Sequence, residues 1–232
     1  MPAQAVTTPG AGERARETLY TFGEELAHGL THGIGALLSV AGLAILVAKA
    51  AVWGQARAVV AAAVFGAALV LMYTASTLFH SIPLPATKRV LRVVDHCLVF
   101  VLIAGTYTPL TLLALHGAWG WGLFGFTWGL AAVGIVFKIF TTGRFESASL
   151  VIYLLMGWCG LAAAGPLARA VHGAGLWLLL AGGLCYSAGV AFYCWQRLRY
   201  HHAIWHGFVL AGSLCHFFSV LYYVIPGPSR LA

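Results

Sequence analysis

Apolar runs recur along the whole chain, and each is long enough to cross a lipid bilayer as a helix. A spanning helix needs roughly 20 consecutive apolar residues. Seven runs meet this requirement, and they cover residues 33–53, 57–80, 93–115, 120–140, 149–168, 174–195 and 205–225. The stretches between them are short, which leaves no room for a soluble domain. The pattern predicts an all-α integral membrane protein that forms a seven-transmembrane helix bundle.

Composition supports this class and narrows the choice of partners. Of the 232 residues, 61% are hydrophobic and only 8% are charged, whereas about 25% are charged in typical soluble domains. The net charge is +7, but the basic residues are scattered among loops without aromatic interleaving. We therefore expect membrane lipids as partners and no nucleic acid. The five cysteines form no CxxC pair and are expected to be buried free thiols.

The N-terminal segment differs from the rest of the chain. Prolines and glycines interrupt residues 1–20, and no apolar core follows a basic start, so we predict a flexible tail rather than a cleavable signal peptide. From about Glu13 to Thr31 the sequence becomes amphipathic. This predicts a short interfacial helix that precedes the first span of a single membrane domain covering residues 21–228.

The distribution of basic residues predicts the orientation in the membrane. With seven spans, one face carries nine of the thirteen basic residues, namely Arg14, Arg16, Lys88, Arg89, Arg92, Lys138, Arg144, Arg197 and Arg199. The other face carries four, namely Lys49, Arg57, Arg169 and Arg230. Because lysine and arginine are enriched in cytoplasmic loops, we expect a cytoplasmic N-terminus.

A histidine pair stands at the start of the seventh run. His202 and His206 are four residues apart, so on a helix their imidazoles point the same way, one turn apart. A helix presents two nitrogen ligands to one metal ion in this way. Two histidines do not complete a metal site, so a third ligand is expected from another span at the same depth.

His80 is the strongest candidate for the third ligand. It ends the second run, with Ser76 one turn before it, and the second run ends on the face where the seventh begins. The only aspartate, Asp95, opens the third run at this level. An ionised carboxylate at the centre of a spanning helix costs about 2.5–3.5 kcal/mol on insertion scales, so it needs a partner or a function. Three histidines with one open position are typical of catalytic zinc, and zinc lowers the pKa of a coordinated water to about 7. Asp95 could then act as general base, while Ser76 hydrogen-bonds the water, Asp95 or a substrate oxyanion.

Several motifs in this order resemble those of the haemolysin III family. They are Ser76–His80, Val94–His96, Ala104–Pro109, His202–His206 and Ser213–Phe218, and the resemblance runs from about Glu24 to Tyr223. This family is the bacterial branch of the progestin and adiponectin receptor group and is akin to alkaline ceramidases. The resemblance implies seven helices with a cytoplasmic N-terminus. It also implies zinc held by His80, His202 and His206, with Ser76 and Asp95 around its water.

Other histidines leave alternatives open. His28 and His32 form a second pair at helical spacing behind Glu24 and Glu25, and they are a rival metal pair on the interfacial segment. Glu25 or His32 could also shield the mouth of the site. His96 points about 100° away from Asp95 and is expected to pack rather than ligate. His216 is expected to make an interhelical hydrogen bond.

These observations lead to competing functional hypotheses. The first is an inner-membrane zinc protein with a hydrolase-like site for a lipid amide or ester at the cytoplasmic leaflet. The second, which follows from the family name, is a membrane-perturbing haemolysin or membrane-homeostasis protein with structural zinc. A channel or a receptor-like protein ranks last, because polar groups cluster at one end and no large cytoplasmic domain is available for signalling. The sequence leaves the substrate and the oligomeric state open.

Overall fold

A computed structural model describes residues 20–225 and 227, and the elements in this part of the chain are helices. They are α1 (Phe22–Trp53), α2 (Ala56–Ser81), α3 (Pro85–Pro109), α4 (Gly117–Thr141), α5 (Glu146–Trp158), α6 (Ala164–Ala170), α7 (Ala174–Cys194) and α8 (His201–Ser219). A π turn extends α3 to Ala114 and α8 to Val224, and a 3₁₀ turn, Cys159–Ala163, joins α5 to α6. The result is seven helical segments long and apolar enough to cross a membrane. The prediction of an all-α seven-span protein is confirmed.

The first span begins earlier than predicted. Thr21 and Glu24 form a capping box, with a hydrogen bond from the Thr21 amide to the Glu24 carboxylate. No proline interrupts the 32 residues that follow, so α1 continues unbroken to Trp53. Within the described residues, the predicted interfacial helix is therefore the first part of the span itself. The predicted tail lies outside the described residues, apart from Tyr20.

A shared apolar core joins α1, α2, α3 and α8. A buried apolar cluster in this region includes Leu46, Phe65, Leu69 and Val209. Close approach of α1 to α2 depends on Gly35, where an added Cβ would lie 2.6 Å from the Tyr73 ring. Small residues at such contacts are typical of helices that associate in lipid, where packing rather than water exclusion drives assembly.

Successive spans run in opposite directions, which brings particular helix ends together. The start of α1, the end of α2, the start of α3 and the start of α8 lie at one end of the bundle, which we call the site end. Ring contacts between His28, His80 and His202 join three of these elements directly. The chain therefore gathers polar side chains that are far apart in sequence.

A large cavity extends from the site end into the bundle. Its volume is about 620 Å³, and its walls are mostly apolar side chains of α3, α5, α6, α7 and α8. Ser76, Asp95 and His206 line it at the site end, and Gly173 and Trp177 line it near the start of α7. Because α7 begins at the opposite end of the bundle, the cavity spans much of its depth.

Candidate metal centre

His80, His202 and His206 meet at the site end. One ring nitrogen of each lies within 4.8 Å of the others, and His80 and His206 are buried. In a tetrahedral site with metal–nitrogen bonds of about 2.1 Å, ligand nitrogens are about 3.4 Å apart. Small side-chain rotations would bring the three nitrogens to this spacing, so the three imidazoles could hold a metal ion.

Glu25 fixes the orientation of His80. The His80 Nδ1–H donates to Glu25 Oε2 at 2.7 Å, while Lys88 Nζ lies 2.7 Å from Glu25 Oε1. His80 Nε2 is buried without a hydrogen-bond partner. A carboxylate that holds one imidazole nitrogen while the other is left for a metal is a recurrent feature of metal sites. Sequence reasoning proposed only shielding for Glu25 and missed this hydrogen bond, because the partners are 55 residues apart.

The two histidines of α8 are also positioned for ligation. His206 Nδ1–H donates to the backbone oxygen of His28 at 3.3 Å, which leaves its Nε2 lone pair available. His202 Nδ1 is buried without a partner. The ring centroids of the pair are 4.6 Å apart, as the four-residue spacing predicts. An unpaired buried imidazole nitrogen is costly, and a bound ion would remove that cost.

Asp95 and Ser76 lie beside this cluster on the cavity wall. Both are buried, and Asp95 Oδ1 and Ser76 Oγ lack a hydrogen-bond partner. The Ser76 hydroxyl faces the Asp95 carboxyl without a hydrogen bond of normal geometry. Two polar groups without partners, next to three imidazoles and a large cavity, are arranged to receive a water molecule or a substrate.

His28 and His32 do not lie on an exposed interfacial helix. Both are buried, with 0% and 1% of their surface exposed, and none of their ring nitrogens has a hydrogen-bond partner. The His32 ring stacks on His206 at 3.5 Å between centroids. His28 joins Glu25 and His80 in a second group of possible ligands within 4.8 Å of one another. The continuous helix α1 carries them into the bundle, which explains the difference from the prediction.

The remaining histidines belong to other surroundings. His96 Nδ1 lies 3.7 Å from Glu146, whose carboxylate also pairs with the buried Lys138 at 2.6 Å. The local sequence does not identify this buried ion pair, because its partners lie on two different helices, α4 and α5. His216 stacks on Tyr186, and its Nδ1 lacks the interhelical hydrogen bond that was expected.

Comparisons with known proteins agree with the motifs. Residues 20–217 match the family model described as haemolysin-III related. The chain is 48% identical to "Hemolysin-3" of Bacillus cereus over 206 residues, which are 89% of this chain and 94% of that protein. It is 47% identical to "Hemolysin-3 homolog" of Bacillus subtilis over 210 residues, 90% and 99% of the two chains.

A more distant relative is the human "Monocyte to macrophage differentiation factor". It is 29% identical over 180 residues, which are 72% of this chain and 71% of that protein. No solved structure matches the chain. The family model covers most of the sequence, and the Bacillus relatives align over nearly their whole length. The chain therefore belongs to the haemolysin III family of membrane proteins.

Proposed function

We propose that the protein is a zinc-dependent, hydrolase-like membrane protein that acts on a lipid amide or ester. The observation that carries this proposal is the position of the three imidazoles, Asp95 and Ser76 at the end of a large apolar cavity. Closed structural sites bind zinc through four protein ligands. Here three histidines stand beside a carboxyl and a hydroxyl that have polar atoms without partners.

The chemistry of the donor set supports zinc. Imidazole suits Zn²⁺ and other first-row transition metals, whereas Mg²⁺ and Ca²⁺ prefer oxygen ligands. His80, His202 and His206 would hold the ion. When bound, the ion would supply Lewis acidity and make a water molecule acidic near neutral pH.

The surrounding residues have separate roles in this proposal. Asp95 accepts a proton from the attacking water and returns it to the leaving group. Ser76 donates a hydrogen bond to the oxygen that becomes negatively charged. Glu25 keeps His80 in the tautomer that presents Nε2. The apolar cavity excludes bulk water and accommodates the hydrocarbon part of a lipid.

We place the site at the cytoplasmic side of the bacterial plasma membrane. The excess of basic residues on the site end supports this orientation, and it persists when Lys49 and Lys138, which lie inside helices, are left out. A reporter enzyme that is active only outside the cytoplasm tests it when fused to the C-terminus. If the N-terminus is cytoplasmic, the C-terminal reporter lies outside the cytoplasm and is expected to be active. An intact fusion protein without reporter activity would contradict this orientation.

Metal analysis tests the ligand assignment. Purified protein is expected to retain about one zinc per chain under stringent washing, and His80→Ala combined with His202→Ala is expected to lose it. The matched control is His116→Ala combined with His172→Ala, two exposed loop histidines at the far end. Full zinc retention in the first double variant would refute the proposed site.

Asp95→Asn separates catalysis from metal binding. The variant is expected to keep its zinc, while hydrolysis of a lipid amide or ester falls about 10²–10⁴-fold, because the general base is gone. Initial rates in detergent or vesicles, normalised to zinc content, measure this effect. Unchanged rates would remove Asp95 from the mechanism.

The names of the Bacillus relatives favour a second candidate function, perturbation of membranes. In that case zinc is structural, and leakage from vesicles is the output. The same Asp95→Asn variant discriminates between the two. If leakage occurs in the wild type and persists in the variant, catalysis is not its cause.

A further inference from the structure

His28 is a buried side chain that the proposed reaction does not use. It has no exposed surface, and both of its ring nitrogens lack hydrogen-bond partners. A buried polar group without a partner destabilises the folded protein. The ring lies 4.7 Å from His80, 4.8 Å from His202 and 5.5 Å from His206 between centroids. His28 is therefore placed where a cation held by its neighbours could also reach one of its ring nitrogens.

Distances distinguish two ways in which His28 could bind a cation. It could be a fourth ligand of the first site, but among the described residues the ligand atoms that lie mutually within 4.8 Å at that site come from His80, His202 and His206. The corresponding group for His28 consists of Glu25, His28 and His80. The His28 Nδ1 is 3.8 Å from Glu25 Oε2.

We propose that Glu25, His28 and His80 form a second cation site, adjacent to the first and sharing His80 with it. The inference rests on the proposed function, because the second site adjoins the first and shares His80 with it. One carboxylate oxygen and two imidazoles suit a divalent first-row transition cation such as Zn²⁺ or Co²⁺, and disfavour Mg²⁺ and Ca²⁺.

The surroundings of Glu25 make this second site the weaker one. The Lys88 ammonium already interacts with Glu25 Oε1, which leaves Oε2 as the ligand atom. The proton between His80 Nδ1 and Glu25 Oε2 must leave for solvent when the cation binds. The second cation therefore competes with a proton, because His80 must become an imidazolate to bind through both ring nitrogens, whereas filling the first site alone requires no such proton loss. Occupancy would link the start of α1 to the end of α2.

Metal titration of the full chain in detergent tests the proposal. After chelator treatment, the protein is dialysed against increasing free Zn²⁺, and a parallel Co²⁺ titration is followed by its visible absorption. The wild type is expected to bind two equivalents per chain, the second at least about tenfold more weakly. The variant His28→Gln is expected to bind one equivalent, with the affinity of the first step retained within about tenfold.

His32→Gln is the matched control, because His32 lies on the same helix, is equally buried and belongs to neither group. It is expected to retain two equivalents. A single equivalent in the wild type, a second equivalent that persists in His28→Gln, or loss of it in His32→Gln as well would overturn the second site. Failure to bind even one equivalent would instead overturn the proposed function.

Discussion

The spans of α2 and α3, which carry Ser76, His80 and Asp95, are packed very differently from the fifth and sixth spans, which form part of the cavity wall. In the most apolar stretches of α2 and α3, 56% of residues are buried inside the protein. In the fifth and sixth spans, which contain α5 and α7, only 11% and 17% are buried. The contrast separates two tasks. Close packing fixes side chains within fractions of an ångström, as metal ligation requires, while a loosely packed wall leaves room for a lipid.

The side chains around the histidines reflect the same difference. Tyr73 on α2 is buried, donates a hydrogen bond to Ser213 on α8 at 2.7 Å, and meets the His32 ring edge-on at 4.9 Å. On α7, which forms part of the cavity wall, large apolar residues such as Trp177 and Leu184 are exposed at the protein surface instead. In a bilayer these surfaces contact lipid tails, so the wall borders the compartment from which a lipid would come.

Replacing Glu25 tests how strictly the packed region positions the candidate metal ligands. Glu25→Gln removes the carboxylate that accepts the His80 Nδ1–H bond. Zinc affinity at the first site is expected to fall about 10–100-fold, as for other residues that orient a ligand. Competition with a chelator of known affinity measures the change. Glu24→Gln is the control, because Glu24 interacts with Thr21 instead. An unchanged affinity in Glu25→Gln would mean that packing alone positions His80.

Truncation of a core leucine measures the difference in packing directly. Leu69→Ala on α2, where the leucine is 3% exposed, is expected to lower the unfolding free energy by about 2 kcal/mol. This value is at the low end of the range for leucine-to-alanine substitutions in a protein core. In detergent the variant loses packing contacts, whereas transfer of the leucine out of water contributes little to its stability. Leu184→Ala on α7, where the leucine is 54% exposed, is expected to change it by about 0.5 kcal/mol or less. Denaturant unfolding compares the two variants. Equal losses of unfolding free energy would contradict the proposed difference in packing between α2 and α7.

The sequence predicts much of the packed region, because its signals are local. Runs of apolar residues predict the seven spans, and alternation of span direction places Ser76, His80, Asp95 and His202 at one end. The spacing of His202 and His206 predicts a shared helix face, and their rings lie 4.6 Å apart. These features depend only on helix geometry and on the thickness of a bilayer.

Other features depend on rotation and contact between helices, which hydrophobic periodicity does not specify. When a helix is apolar on most sides, its sequence does not specify which side faces the bundle interior. For this reason His28 and His32 were expected at an interface, although they face the bundle interior. The Glu25–His80 hydrogen bond and the buried Lys138–Glu146 pair were also missed, since nothing in the local sequence identifies their partners.

The cavity was likewise beyond prediction, because it is a gap between helices rather than a property of any one of them. Its role can be tested without replacing the candidate metal ligands. Leu154 on α5 lines the cavity, whereas its neighbour Leu155 is 67% exposed on the outer surface. Adjacent positions on one helix thus face the two environments that the proposal distinguishes.

Leu154→Trp is expected to narrow the cavity and lower the turnover of a lipid amide or ester about tenfold, which corresponds to 1.4 kcal/mol. Zinc content should remain unchanged, because Leu154 is not in the ligand cluster. Leu155→Trp adds the same bulk on the outer surface and is expected to leave turnover within about twofold of wild type. Initial rates and metal analysis of both variants provide the comparison. If both tryptophans slow the reaction equally, membrane insertion of α5 rather than cavity volume limits the rate. If neither does, the lipid reaches the imidazoles by a route that avoids this wall.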